Sequence, residues 1–375
     1  MDLRRSQLLI GALAALLTLG ACGGGGEGGG TDSQAWAKAT SAEQGGGMEK
    51  LIAAAKKEGH LNVITLPRNW ANYGEVIDTF AKRYGIKVNS ANPLGTSQDE
   101  ITAVKRLGKQ DRAPDVLDLG QSFAEPNKAL FAPYQVSLWT DIPAENKDAV
   151  GAWVNDYGGY ISIGCNAKLV KPCPTTFAEL LQPRYKGKVA LNGDPTKAAA
   201  AFSGVYAAAL ANGGSFDDIS KGVEYFGKLS RSGNFLKLDP NPGTIESGQS
   251  PIVIDWDYTN AAEAVRLKGK LDWRVAVPAD GLVAQYYVQA INKNAPHPAA
   301  ARLWQEFLYS DEGQNLWLKG QARPIRLAVM EKAGTADKAA LAALPSVRGE
   351  VQYPTQAQVD TASQVVLREW ASTVS

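Results

Sequence analysis

Hydrophobic positions recur along this chain at two alternating periods, and the alternation itself predicts an architecture. From Met48 to Glu58 apolar residues follow helical spacing that stops at Gly59, after which Leu61 to Leu66 reads as a buried strand. The cycle repeats with a helix from Tyr73 to Tyr84 closed by Gly85, a strand from Ile86 to Ser90, a helix from Gln98 to Gly108 and a strand from Asp115 to Leu119. Strands separated by helices pair through crossovers, so three such repeats predict a parallel sheet.

The second half continues the pattern. Strands are predicted at 160–165, 188–191, 251–255, 271–278 and 285–291, with an alanine-rich helix from Lys197 to Asn212 and a helical stretch from Pro298 to Leu318. Neither a fixed-period repeat nor a glycine fingerprint for a nucleotide follows any strand. Two α/β lobes are the economical reading of so many short alternations.

The first residues follow a different rule. Arg4 and Arg5 precede an apolar run from Leu8 to Leu19, about 12 residues long, which is too short to span a bilayer and fits a secretory leader over 1–21. Leu19-Gly20-Ala21-Cys22 is similar to the lipobox of bacterial lipoproteins, which implies cleavage before Cys22 and acylation of that cysteine. The glycine-rich stretch that follows predicts a flexible, lipid-anchored tether over 22–46. No second run of about 18 apolar residues exists to cross a membrane.

Composition narrows the function. Hydrophobic residues make up 45% of the 375 and charged residues 21%, which is globular material enough for about two domains. Without the leader the chain carries 37 basic and 37 acidic residues, so no net field draws in nucleic acid. Only two histidines, His60 and His297, are present, which leaves little material for a metal hydrolase or a serine triad. Neither histidine has an evident partner in the sequence, so an exported enzyme is disfavoured and no cofactor is expected. Cys165 and Cys173 lie eight apart; export favours a disulfide between them over two partly buried thiols.

Several segments share a resemblance in the same order. Ala113-Pro-Asp-Val-Leu-Asp-Leu119, the stretch from Tyr157 to Val170, Tyr185-Lys-Gly-Lys-Val189, the stretch from Asn294 to Gln314 beginning Asn-Ala-Pro-His-Pro, and Gly320-Gln-Ala-Arg-Pro-Ile325 carry it. Together they resemble the extracellular solute-binding proteins of ABC importers, of the type that includes ferric, polyamine and thiamine binders. The resemblance implies a two-lobed periplasmic-binding-protein-like fold (type II), with the ligand cleft between lobes joined by crossing strands. It further implies hinge closure on a small molecule and delivery to the transmembrane permease subunits, while nothing in the sequence demands more than a monomer. The expected division is a first part of lobe 1 over 47–155, lobe 2 over 156–283, and a return to lobe 1 with C-terminal helices over 284–375.

Ligands in α/β folds sit beyond the carboxyl ends of strands and at helix N-termini. The junctions so marked carry Trp70, Ser97, Gln121, Asp194, Thr196 and the run Asp255, Trp256, Asp257, Tyr258, with Asp280 and Gly281 beside them. Thr96 and Ser97 also suit the start of a helix, and Asp194 before Pro195 suits a cap. Carboxylates beside aromatic faces suit an ammonium group, so a polyamine or other small organic cation is the first expectation. Ferric ion is a weaker fit, since that family position holds one tyrosine here, Tyr258, and the pair Tyr286-Tyr287 falls in a strand that turns its rings to opposite faces. A phosphate or phosphonate held by Thr96, Ser97 and Thr196 is the remaining alternative, and a sensor could use the same body.

Overall fold

The computed structural model describes residues 29–349, 351 and 353–374. The leader and Cys22 lie outside them.

The first lobe begins with α1 (Gly29–Lys38) and α2 (Met48–Glu58), the latter ending on Gly59 in the left-handed conformation at φ 72°. Then β1 (His60–Ile64), α3 (Tyr73–Tyr84) and β2 (Lys87–Ala91) form a crossover unit whose strands pair in parallel, His60 opposite Lys87. After α4 (Ser97–Leu107), β3 (Val116–Gly120) is tied to β1 through Asp115: its N–H donates to the Asn62 carbonyl at 2.9 Å and its carboxylate accepts the Asn62 N–H at 2.6 Å. The short α5 (Gln121–Ala124) and β4 (Phe131–Ala132) complete this part.

β5 (Val154–Asn166) then leaves the first lobe. Its 13 residues extend over roughly 40 Å, enough to serve both lobes. The second lobe holds α6 (Phe177–Leu180), β6 (Val189–Leu191), α7 (Ala199–Ala211), α8 (Ser220–Arg231), β7 (Phe235–Leu236), α9 (Pro242–Glu246), β8 (Ile252–Trp256), α10 (Asp257–Arg266) and β9 (Trp273–Ala276). β10 (Ala284–Asn292) crosses back, followed by α11 (Pro298–Tyr309), α12 (Asp311–Lys319), β11 (Arg323–Pro324), α13 (Leu327–Ala333), α14 (Lys338–Ala342) and α15 (Gln356–Thr373).

The central sheet runs β3-β10-β5-β8-β6-β7, with β9 and β11 also on β5 and β4 on β10. It is mixed rather than wholly parallel: β6 is parallel to β7 and β8, whereas every pair made by the crossing strands β5 and β10 is antiparallel. The predicted parallel sheet therefore holds only within each lobe. The reason is the return path, since a strand that carries the chain back between lobes runs against the one that carried it out.

Two boundaries need correction. The tether does not extend to residue 46, because Trp36, Ala39 and Ala42 are buried in the first lobe's core and Arg302 donates to the Ala37 and Ala39 carbonyls at 3.1 and 2.8 Å. The end of the chain does not return to the first lobe alone, because α15 lies along α8 of the second. Cys165 and Cys173 are bonded in this structure, with Cα atoms 5.9 Å apart. Among the described residues no helix is long and apolar enough to cross a membrane.

Candidate functional site

The lobes meet where β3, β6 and β8 end and β5 and β10 pass between them. Gly120, the last residue of β3, makes the close approach possible: a Cβ there would collide with the Ala199 side chain at the start of α7. Gly159 in β5 does the same for the second lobe, because a Cβ would lie 2.7 Å from the Tyr258 ring. In this arrangement Ser203 of α7 also donates to the Gln285 side chain of β10 at 2.6 Å.

The floor of the junction is aromatic. Tyr157 of β5 and Tyr287 of β10 stack with ring centroids 5.5 Å apart and planes 2° from parallel. Trp70 comes down from the loop after β1 and sets its edge against Tyr258 and Tyr287 at 5.6 and 5.7 Å. From the second lobe Trp256 stacks on Tyr258 at 6.2 Å and meets Tyr287 edge-on at 6.1 Å. Five rings from the two lobes and both crossing strands thus form one continuous cluster.

A chain of hydrogen bonds links the rings to a carboxylate. Trp70 Nε1 donates to the Tyr157 hydroxyl, and Tyr157 donates to Asp118 Oδ2, each at 2.8 Å. Asp118 Oδ1 and the Tyr258 hydroxyl are buried without a hydrogen-bond partner. Burial pushes the Asp118 carboxyl up to about 7. Three further carboxylates are buried nearby: Glu100, which accepts from the Thr65 hydroxyl and the Asp118 N–H; Asp156, which accepts from Gln289; and Asp255, which accepts from the Trp256 N–H. Desolvation raises all three, Asp255 to about 7. Among the described residues none of the four has a lysine or arginine partner.

The predicted residues divide accordingly. Trp70, Trp256 and Tyr258 lie in the aromatic cluster, with Asp255 at the end of β8 beside it. Ser97 is buried at the first position of α4 and accepts the Gly120 N–H at 3.0 Å, so it braces the junction from within the first lobe. Thr96 is the cap of that helix, in a reciprocal pair with Asp99. Thr196 lines a cavity of about 220 Å³ between the lobes, and Gln121 opens α5 on the facing side. A larger hollow, about 450 Å³, lies further along β5 beside the disulfide loop, away from the aromatic floor.

Three expectations need correction. Asp257 is not free for a ligand cation: Oδ1 accepts the Tyr160 and Tyr258 N–H groups, and Oδ2 takes Arg323 Nη1 at 2.6 Å. Arg323 in turn lies 4.1 Å from the Tyr160 ring centre, so the protein supplies its own cation. Asp194 holds the Thr196 N–H and hydroxyl and faces Lys197 at 3.4 Å, which is a turn-building role. Asp280 accepts the Phe177 and Ala178 N–H groups at the start of α6, away from the junction.

The histidines also come together, their rings 5.9 Å apart. His297 Nδ1 lies 2.9 Å from Asp115 Oδ2, at the opposite end of β1 and β3 from the aromatic floor. Sequence reasoning did not offer Tyr157 or Asp118, and it set Tyr287 aside together with Tyr286. Asp118 left a signal, an acidic residue in the midst of an apolar strand.

A two-lobed body with a site on its crossing strands can be compared with known proteins. Residues 111–346 match the model of the bacterial extracellular solute-binding proteins. The chain belongs to that family. This solute-binding protein has no match among curated sequences. In fold it is similar to a periplasmic thiamin binding protein, with a TM-score of 0.66 and 18% identity over 84% of this chain and 96% of the other. It is also similar to AfuA from Actinobacillus pleuropneumoniae, solved with fructose-6-phosphate (0.65, 18%, over 84% and 98%), and to iron-bound HitA from Pseudomonas aeruginosa (0.61, 20%, over 84% and 99%). The likeness places the solute-binding protein in the type II two-lobed fold.

Proposed function

We propose that this protein captures a small organic cation on the aromatic floor between its lobes and delivers it to the permease of an ABC importer, tethered by a lipidated Cys22. The observation that carries the ligand class is Asp118: a buried carboxylate with one unpartnered oxygen, linked through Tyr157 and Trp70 to five aromatic rings and lacking a protein cation. A desolvated ammonium gains from both features at once, by charge-assisted hydrogen bonding to the carboxylate and by attraction to ring faces. A phosphate ester gains from neither, and the junction's buried carboxylates repel it. Solute capture needs no chemistry on the ligand, so the protein is read as a binder and not as an enzyme.

A thermal-shift panel tests this on the exported chain, with choline, spermidine, thiamine, ferric citrate and fructose 6-phosphate as probes. Ligand at 100 times Kd stabilises by about 2.7 kcal/mol. Stabilisation by choline, spermidine or thiamine is the expected result. Stabilisation only by ferric citrate or fructose 6-phosphate would overturn the cation reading and leave solute capture standing.

A further inference from the structure

The family match ends at residue 346, and the residues beyond it build the 18-residue helix α15. Its two faces meet different partners. On one, Val359, Ala362 and Val366 are buried, Thr373 lies against Gly227 of α8, and Trp370 sets its ring against Phe226 at 5.4 Å. The Tyr206 hydroxyl of α7 donates to the Gln358 carbonyl at 2.9 Å, and Gln358 Nε2 donates to Asp217 at 2.9 Å. This face belongs to the second lobe.

About a third of a turn around the helix, Asp360, Ser363, Gln364 and Leu367 line the interlobe cavity of about 220 Å³, whose other walls include Ser122 and Phe123 of the first lobe. α15 also contacts α5 of the first lobe directly. The segment leading to it crosses behind the crossing strands: Arg323 Nη2 donates to the Pro345 carbonyl at 3.2 Å, and Tyr353 stacks on Tyr286 at 5.5 Å. The chain therefore leaves the first lobe, passes behind the hinge strands, fastens to the second lobe and touches the first again at α5, beside the interlobe cavity.

We propose that α15 is a latch: it forms a third wall of the ligand cleft, travels with the second lobe, and must leave α5 before the lobes can open. This rests on the space between the lobes being the ligand cleft, and it does not depend on which ligand occupies that cleft. A hinge opening without a change in α15 would have to break either its face on α8 or its face on α5. The α8 face is apolar and aromatic, whereas the α5 face is largely polar with Leu367 half exposed at 56%, so the α5 contact is the one that gives.

The test uses the exported chain with dyes on Lys109→Cys in the first lobe and Lys268→Cys in the second, both exposed positions, read by single-molecule energy transfer without added ligand. The parent is expected to populate mainly the high-transfer, closed state. Leu367→Lys, which alters only the face toward the first lobe, is expected to raise the low-transfer fraction at least threefold at an unchanged melting temperature. An unchanged distribution overturns the latch, and so does a shift seen only in Trp370→Ala, which loosens the second lobe. The thermal-shift panel reads the ligand class separately, so failure of one reading leaves the other testable.

Discussion

Asp118 stands in the sequence Val-Leu-Asp-Leu-Gly, with Leu117 and Leu119 turned into a hydrophobic cluster and its own side chain turned the other way. Strand alternation sends it toward Tyr157, where burial raises its carboxyl to about 7. Burying an unpaired carboxylate costs stability, so its retention makes sense if a ligand supplies the missing partner. Asp118→Asn keeps the acceptor for Tyr157 and removes the charge. It is expected to leave the unliganded melting temperature unchanged or higher and to weaken the stabilising cation at least tenfold by isothermal titration calorimetry. An equal loss of stability and binding would make Asp118 a structural residue. Asp257 shows the opposite case, a carboxylate whose needs are met within the protein by Arg323 and two N–H groups. In sequence Asp257 is the candidate and Asp118 is not; what reverses them is what faces each carboxylate in the fold.

At the scale of elements, most helices and strands follow from local periodicity. Gly59 and Gly85 close α2 and α3 in the left-handed conformation, at φ 72° and 69°, as their positions after the last apolar turn suggest. The segment before α2 is the exception. Its glycines read as a tether, yet Trp36 is 4% exposed and its ring fills the space beside Gly45, where a Cβ would collide with it. A single tryptophan is invisible to a periodicity count and carries enough apolar area to dock a short segment. Trp36→Ala is expected to cost about 3 kcal/mol in urea unfolding. A cost below about 0.5 kcal/mol would restore the tether to its full predicted length.

For the whole molecule, the buried carboxylates couple ligand capture to pH. Asp118 and Asp255 titrate near 7 in the folded chain, well above their ordinary range. Between about pH 4 and pH 7 the folded chain holds protons that the unfolded chain has released, so unliganded stability declines as pH rises through that window. Cation binding runs the other way, because it needs the ionised carboxylate. Affinity is expected to fall about 30-fold between pH 8 and pH 5.5 for one proton taken up, and a flat titration profile would remove Asp118 from the site. The membrane tether is a separate matter of the first residues. Cys22→Ala is expected to move the protein from the membrane fraction to the soluble one, and persistence in the membrane would refute lipidation.

The sequence by itself determined the alternating elements, the exported character and the solute-binding family, and it offered the strand-to-helix junctions as candidate ligand positions. These are legible because periodicity, caps and short motifs are local, each set by residues within a few turns of one another. Only the tertiary structure decided which junction residues form a site. Arg323 reaches Asp257 across 66 positions, and Tyr157 reaches Tyr287 across 130, because β5, β10 and β11 lie side by side. The same holds for α15: helices are expected in the C-terminal stretch, but nothing in the sequence says which lobe this one covers. A side chain's periodicity tells which way it points, and only the crossing of distant strands tells what it meets there.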